Sequence, residues 1–492
     1  MPSDNLTELA NRIAAGLPGP DGGIRSRIEA LFGERYQKRY LTTTTCRDAY
    51  ALATEGEEGV PWAGLINPDN PPSGPYGGTS VVWFPTRQAG ALIDFGVGTR
   101  GLSPDEGILT RPGHRRRMNA LRRYLARCGV DTWVKQDPSA LGVSVPRTVR
   151  ERYPGFEHVF RRYGAELYAC AAVPRDTDKA RLVVQAFLDL YARERGWQVM
   201  KSYEQEYGEL HEALANDIFA SPTAEDVNRL LRARRFVVLQ GPPGTGKTRM
   251  ADEIRRRCFD GRGMTVQFHP AVTYEDFVVG LAPDAKDRGL RFDVRPGWLV
   301  QAAEAAKDQP FVLIVDEINR SDLGKVLGEA IYLFESSEVG GESARHVRLP
   351  HPLDGKTDFS LPENLYVLAT MNTADRSTAA MDLAIRRRFA FATLLPDRSA
   401  VAATGVKEAV QAFDLVTEVF VEYAPGEALQ LLPGHAYFLV KDERELRERL
   451  RYEVIPLLDE YLQQGFLGPA SHELHAVRDA LEDMITGHGR TT

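Results

Sequence analysis

The chain has 492 residues, with 61 Lys+Arg against 68 Asp+Glu and a formal net charge of −7. Its 43% hydrophobic and 26% charged composition excludes a largely disordered protein, and at roughly 100–200 residues per domain the length suits several domains. No apolar run approaches the ~20 residues that span a bilayer and no signal-peptide core opens the chain; Cys46, Cys128, Cys170 and Cys258 are too scattered for a disulfide framework, so a cytoplasmic protein is expected.

In chain order, residues 1–45 read as one or two short amphipathic helices and 46–110 as strand and loop, with VVWFP and GALIDFG as strands. RRRMNALRRYLARCG reads as a helix stopped at Gly129, AELYACAAV as a strand, and 176–218 as helix again. Ser221 is placed to cap the next helix, with Pro222 at its first position. From there RFVVLQ, TVQFHP, PFVLIVDE, NLYVLATMN and RRFAFATLL alternate with helical segments. Continuously apolar strands in that rhythm predict an α/β core, a five-stranded parallel sheet with helices on both faces. Beyond about 400 the chain is helical and acidic. The expected domains are therefore 1–200, an α+β domain with a helical linker; 201–396, the α/β core; and 397–492, a helical lid. Charge divides with them: 27 Lys+Arg against 22 Asp+Glu over 1–200, and 34 against 46 over 201–492.

Gly241, Pro242, Pro243, Gly244, Thr245, Gly246, Lys247 and Thr248 follow directly on RFVVLQ and open the helix KTRMADEIRRR. This is a phosphate loop in its strand–loop–helix context: glycines let backbone N–H groups approach phosphate oxygens, and the helix N-terminus adds partial positive charge. Lys247 would reach the β- and γ-phosphates of a nucleoside triphosphate, and Thr248 would offer its hydroxyl to Mg²⁺. Asp316 and Glu317 end the apolar strand PFVLIVDE, where adjacent carboxylates are costly without a cation and polar partners. Asp316 fits a Mg²⁺ role and Glu317 a base that polarises the attacking water. Asn372, at the tip of NLYVLATMN, could hold that water. Arg386, Arg387 and Arg388 end a helix before the last strand; position alone leaves open a cation acting on a neighbouring subunit's nucleotide and a basic terminus favoured by the helix dipole.

Taken together, GPPGTGKT, FHPAVTYEDFVVGLAP, VDEINRSDLGKVLGEAIYLFE, ATMNTADRSTAAMDLAIRRRF, LPGHAYFLV and RYEVIPLLDEY resemble the McrB-type branch of AAA+ NTPases, motors of modification-dependent restriction systems, over about residues 220–465. The resemblance implies an AAA+ phosphate-loop core with a helical lid, GTP or ATP as substrate with Mg²⁺, a homo-oligomeric ring, a hexamer, and a separate McrC-like nuclease subunit. It also implies that Asn372 and Asp375 belong to the signature that organises hydrolysis and that Arg387 and Arg388 are arginine-finger candidates. Tyr274, Glu275, Asp276 and Phe277 match a family segment that is pore-side or nucleotide-adjacent. A MoxR-like chaperone motor acting on a protein partner is the alternative.

The resemblance stops before residue 200. There, residues 111–127 carry seven arginines and no acid, with Trp62, Tyr76, Trp83, Phe84 and Trp133 on either side. Arg115, Arg116, Arg117, Arg122 and Arg123 are candidates for binding DNA, modified or not, or RNA, with the aromatics cradling a base. The other reading is a solvated basic helix that packs Met118, Leu121 and Leu125 inward. The GxGxxG match at 96–101 lacks a following helix, Asp354-Gly355-Lys356 is too thin for a nuclease centre, and the histidines show no metal-binding spacing.

Overall fold

Short β-rich runs joined by tight turns pair antiparallel, and the first part of the chain folds this way. The computed structural model describes residues 4–17, 24–49, 59–70, 75–283, 292–374, 381 and 383–486. Strands β1 (Thr45–Asp48), β2 (Ala63–Ile66), β3 (Thr79–Pro85), β4 (Ala91–Val97), β5 (Thr132–Val134) and β6 (Leu167–Ala172) form one sheet in the order β1-β2-β3-β4-β6-β5, every pair antiparallel. Alternation along β3 and β4 sends Val81, Trp83, Ile93 and Phe95 into one core and Val82, Phe84 and Leu92 into another on the opposite face. Helices Asn5–Ala15, Pro112–Arg127 and Thr177–Glu194 cover the first face, and Val159 and Phe160 of helix Glu157–Tyr163 pack on the second.

Contacts divide the chain into two compact units, one of Met1–Ile218 with Val421–Tyr423, the other built from Phe219–Phe420 and Ala424–Thr492. The division falls beyond the expected 200/201 boundary because Leu210 and Leu214 of helix Glu204–Ile218 pack into the first unit's core.

In the second unit, β7 (Phe236–Gly241), β8 (Gly263–Gln267), β11 (Phe311–Asp316), β14 (Leu365–Asn372) and β15 (Ala390–Thr393) form the expected parallel sheet, ordered β15-β7-β14-β11-β8. Both faces are buried: Phe236, Val238, Leu313 and Val315 enter one core, Val237, Leu239, Val312 and Ile314 the other. Two antiparallel hairpins went unread in the sequence: β9 (Val279–Pro283) with β10 (Phe292–Pro296), and β12 (Val347–Leu353) with β13 (Lys356–Phe359). Asp354 (φ 48°) and Gly355 (φ 78°) turn the second of these, which explains that dipeptide structurally.

Helix Ala224–Arg234 starts two residues later than Ser221 suggested. Thr223 is its N-cap, in a reciprocal capping box with Asp226, while the Ser221 hydroxyl accepts from Leu395 N at 2.8 Å. The lid run LRERLRYEVIPLLDEYLQQ is helical except for a π turn over Leu450–Val454. Pro456, on its C-terminal side, has no N–H to continue the usual bonding pattern.

Candidate nucleotide-binding site

Parallel register lines up the C-terminal ends of the strands, so residues far apart in sequence meet there. Gly241 pairs with Asn372, and Asp316 with Gln267. After Gly241 the chain turns through Gly244 (φ 78°) and Gly246 (φ 79°) into helix Lys247–Cys258. A Cβ on Gly241 would lie 2.0 Å from Leu394 O, so only glycine fits. Thr245 Oγ1 donates to Pro242 O at 2.9 Å, and the buried Lys247 Nζ donates to the carbonyls of Gly241 and Pro242 at 3.0 and 2.7 Å.

Facing this loop, Asp316 Oδ1 accepts from Thr248 Oγ1 at 2.9 Å and from Thr370 Oγ1 at 2.5 Å. Thr370 Oγ1 also accepts from Glu317 N at 3.0 Å, so one buried hydroxyl ties the two acids together. Thr370 is not among the candidates the sequence offers; its signal there is a hydroxyl inside an otherwise apolar strand. Glu317 sits in the left-handed region (φ 54°, ψ 47°), a conformation that costs a non-glycine residue roughly 1–3 kcal/mol and is held only by surrounding contacts. Those contacts are Arg320 Nε at 2.9 Å, Gln267 Nε2 at 3.3 Å and, at the 3.5 Å limit, Asn372 Nδ2. Gln267 and Arg320 were also absent from the sequence candidates.

Mg²⁺ takes hard oxygen donors, usually one or two from protein and the rest from phosphates and water. The Thr248 hydroxyl and Asp316 carboxylate side by side fit that pattern. No group of three or more His, Cys, Asp or Glu gathers among the described residues to form an all-protein cage.

The remaining candidates fall in different settings. Asp375 lies outside the described residues. Arg387 is exposed; Arg388 is half-buried, with Nη1 donating to Ala384 O at 2.5 Å, and Arg386 stacks on Phe391. In the Tyr274–Phe277 turn, Asp276 forms a capping box with Thr273, Phe277 is core, and Tyr274 Oη donates to Glu329 at 2.6 Å. Glu275 is exposed.

In the first unit the arginines divide. Arg117 is buried, donating to Glu194 through Nε at 2.7 Å and Nη2 at 3.1 Å. Burial alone would raise the Glu194 carboxyl, but His114 and Arg117 beside it hold it well below the usual carboxylate range. Arg116 is half-buried, its pKa lowered to about 10 by desolvation, and Arg115 pairs with Asp137 at 3.2 Å. Arg122 and Arg123 are exposed. Trp83 packs in the same core as Met118, Leu121 and Leu125. Trp62 and Phe84 lie across the sheet, with Trp133 packed against their core. There they border a cavity of about 360 Å³ that Tyr76 and Tyr163 also line, with Asp94, Glu166 and Arg162 as its charged groups. The basic helix and this aromatic cavity thus occupy opposite faces of the sheet. Asp94 is fully buried, which pushes its carboxyl well above the usual range despite a hydrogen bond from Tyr168 N at 3.2 Å.

A phosphate loop on the first strand of a parallel sheet, an acid pair on its neighbour but one, and a polar tip between them define an AAA+ NTPase, an enzyme that hydrolyses nucleoside triphosphates. The family described as AAA domain (dynein-related subfamily) matches residues 236–389. The EcoKMcrB subunit of the type IV methyl-directed restriction enzyme of Escherichia coli (strain K12) is 30% identical over 353 residues, covering 64% of this chain and 75% of that protein. Component YdiS of the type II restriction enzyme BsuMI of Bacillus subtilis (strain 168) is 26% identical over 190 residues, 31% of this chain and 55% of that one. This chain belongs to the McrB-type AAA+ family. Among the described residues no helix is long and apolar enough to cross a membrane.

Proposed function

We propose that the chain is the motor subunit of a modification-dependent restriction complex. It assembles into a ring, a hexamer, and couples GTP or ATP hydrolysis to movement along, or remodelling of, nucleic acid, while a separate McrC-like nuclease subunit cuts. The observation that carries this reading is the 30% identity over 353 residues to a methyl-directed restriction subunit, and the second relative is also a restriction-enzyme component. Both favour it over a MoxR-like chaperone. The four free cysteines suit work in the cytoplasm.

In this reading the amides of residues 244–248 and Lys247 bind the phosphates, and Thr248 and Asp316 hold Mg²⁺, which neutralises charge on the phosphate oxygens. Glu317 polarises the attacking water and Asn372 orients it, with Asp375 beside them in the chain. Arg387 and Arg388 reach a neighbouring subunit's nucleotide. The exposure of Arg387 supports this, together with that of Leu383, 80% exposed on the four-residue helix Leu383–Arg386 just before it, since an apolar side chain left in water suits an interface.

The first unit selects the target. Arg122 and Arg123 supply exposed charge for phosphates. The cavity is the better seat for an unstacked base, with Trp62, Tyr76, Phe84 and Tyr163 as stacking walls and Asp94 and Glu166 for its polar edge.

Assays of GTP and ATP hydrolysis, with and without the nuclease partner, test the whole reading; turnover of neither nucleotide would refute it. Glu317→Gln is expected to bind nucleotide and assemble while hydrolysing roughly 10²–10⁴-fold more slowly. Normal turnover in that variant removes Glu317 as the base.

A further inference from the structure

The Glu317 carboxylate is gripped on one oxygen. Oε2 takes two donors, Arg320 Nε at 2.9 Å and Gln267 Nε2 at 3.3 Å, whereas Oε1 faces Asn372 Nδ2 at 3.5 Å. The two oxygens are therefore unlike. A cation anchors one, and the other is turned toward the side chain placed to hold the attacking water.

The grip is local in the chain and pinned from outside. The 3-10 turn Ile318–Arg320 closes with Arg320 N donating to Glu317 O at 2.9 Å, which brings the Arg320 side chain back to that of Glu317. Ile318 is buried in the core, Asn319 Nδ2 donates to Asn372 O at 3.2 Å, and Ser321 Oγ donates to His269 O at 2.6 Å. The turn that carries the arginine thus has little freedom to shift. A second carboxylate beside Asp316 is also costly without a cation, and Arg320 supplies one that does not wait for Mg²⁺.

We propose that Arg320 is the positioning residue of the base: it anchors Glu317 through Oε2 so that Oε1 takes the proton of the attacking water. As that proton passes to Oε1, the water oxygen bonds to the γ-phosphorus. The bond from γ-phosphorus to the bridging oxygen breaks, and its electron pair leaves with the diphosphate. Arg320 touches none of these reacting atoms and acts through Glu317. The inference rests on the NTPase reading and adds to it which oxygen works and what holds it there.

Steady-state hydrolysis of GTP and ATP with Mg²⁺, read beside binding of their fluorescent N-methylanthraniloyl analogues, separates positioning from nucleotide binding. For whichever nucleotide is turned over, Arg320→Gln is expected to lower kcat roughly 10–100-fold while analogue affinity stays within about twofold. Arg320→Lys keeps the charge without the planar fork and should fall between that variant and the wild type. Because the effect passes through Glu317, adding Arg320→Gln to Glu317→Gln should cost less than about threefold more. Arg320→Met should match Arg320→Gln, and thermal midpoints of all variants check that none owes its loss to misfolding. Turnover that is unchanged or raised without the charge overturns the anchoring, as does a full further loss in the Glu317→Gln background. Either result leaves the NTPase reading standing. A wild-type chain that hydrolyses neither nucleotide removes that reading and the anchor with it.

Discussion

The phosphate-loop edge of the second unit and the arginine-rich helix of the first present opposite relations between residue type and role. At the edge, Thr248 from a helix start, Asp316 and Glu317 from the end of β11, and Thr370 and Asn372 from β14 are linked by hydrogen bonds into one group. In helix Pro112–Arg127, adjacent arginines of one kind end in unlike places: Arg117 in a buried pair with Glu194, Arg115 in an exposed pair with Asp137, Arg122 and Arg123 in solvent. Backbone geometry therefore assigns work to the residues of a motif, whereas a run of charge receives its work from whatever packs against it.

That contrast can be broken at several points. The largest effect on stability is expected at Arg117→Ala, which strands the buried Glu194 carboxylate and should cost about 3–5 kcal/mol in urea unfolding. Nucleic-acid affinity of the folded protein should stay unchanged; a stable variant with lost affinity would return Arg117 to the binding surface. Because the folded Glu194 pKa is depressed, this contribution is present above the roughly 4.3 of an unfolded glutamate and is lost as pH falls through that value toward the folded one. Acid unfolding of Arg117→Ala should accordingly be less steep below about pH 4 than that of the wild type.

Thr370→Val keeps the side chain's shape and removes the hydroxyl between Asp316 and Glu317 N. Turnover should fall roughly 10–100-fold with an increased Mg²⁺ requirement, as for other residues that orient metal ligands. Full activity at ordinary Mg²⁺ would show that the strand tips need no such tie. The smallest effect is expected from Arg122→Ala with Arg123→Ala. If both touch phosphates, the slope of log affinity against log salt should shrink by about 0.9 per contact on duplex DNA, alike for all sequences. An unchanged slope would move the interface to the cavity face, where Trp62→Ala should then weaken binding.

Much of the second unit was legible because its signals are local. Five apolar runs became the five parallel strands, and GPPGTGKT became the loop from β7 into its helix. Less was visible where the signal is a partner distant in sequence. Thr370, Gln267 and Arg320 matter through their contacts with Asp316 or Glu317, and the hydroxyl in NLYVLATMN is a weak signal that names no partner. The hairpin β9–β10 escaped because its strands VGLAP and FDVRP carry prolines and little alternation. Thr223 displaced Ser221 as the cap because Asp226, three residues on, completes the reciprocal pair.

The sequence alone determined the parallel core, its phosphate loop and its acid pair, since strand periodicity, glycine placement and helix polarity act over a few residues. Tertiary structure decided which arginines stay in water and which aromatics line a cavity. Burial and pairing depend on segments hundreds of positions apart. Desolvation converts one arginine into a structural cation and leaves another, five residues away, to the solvent.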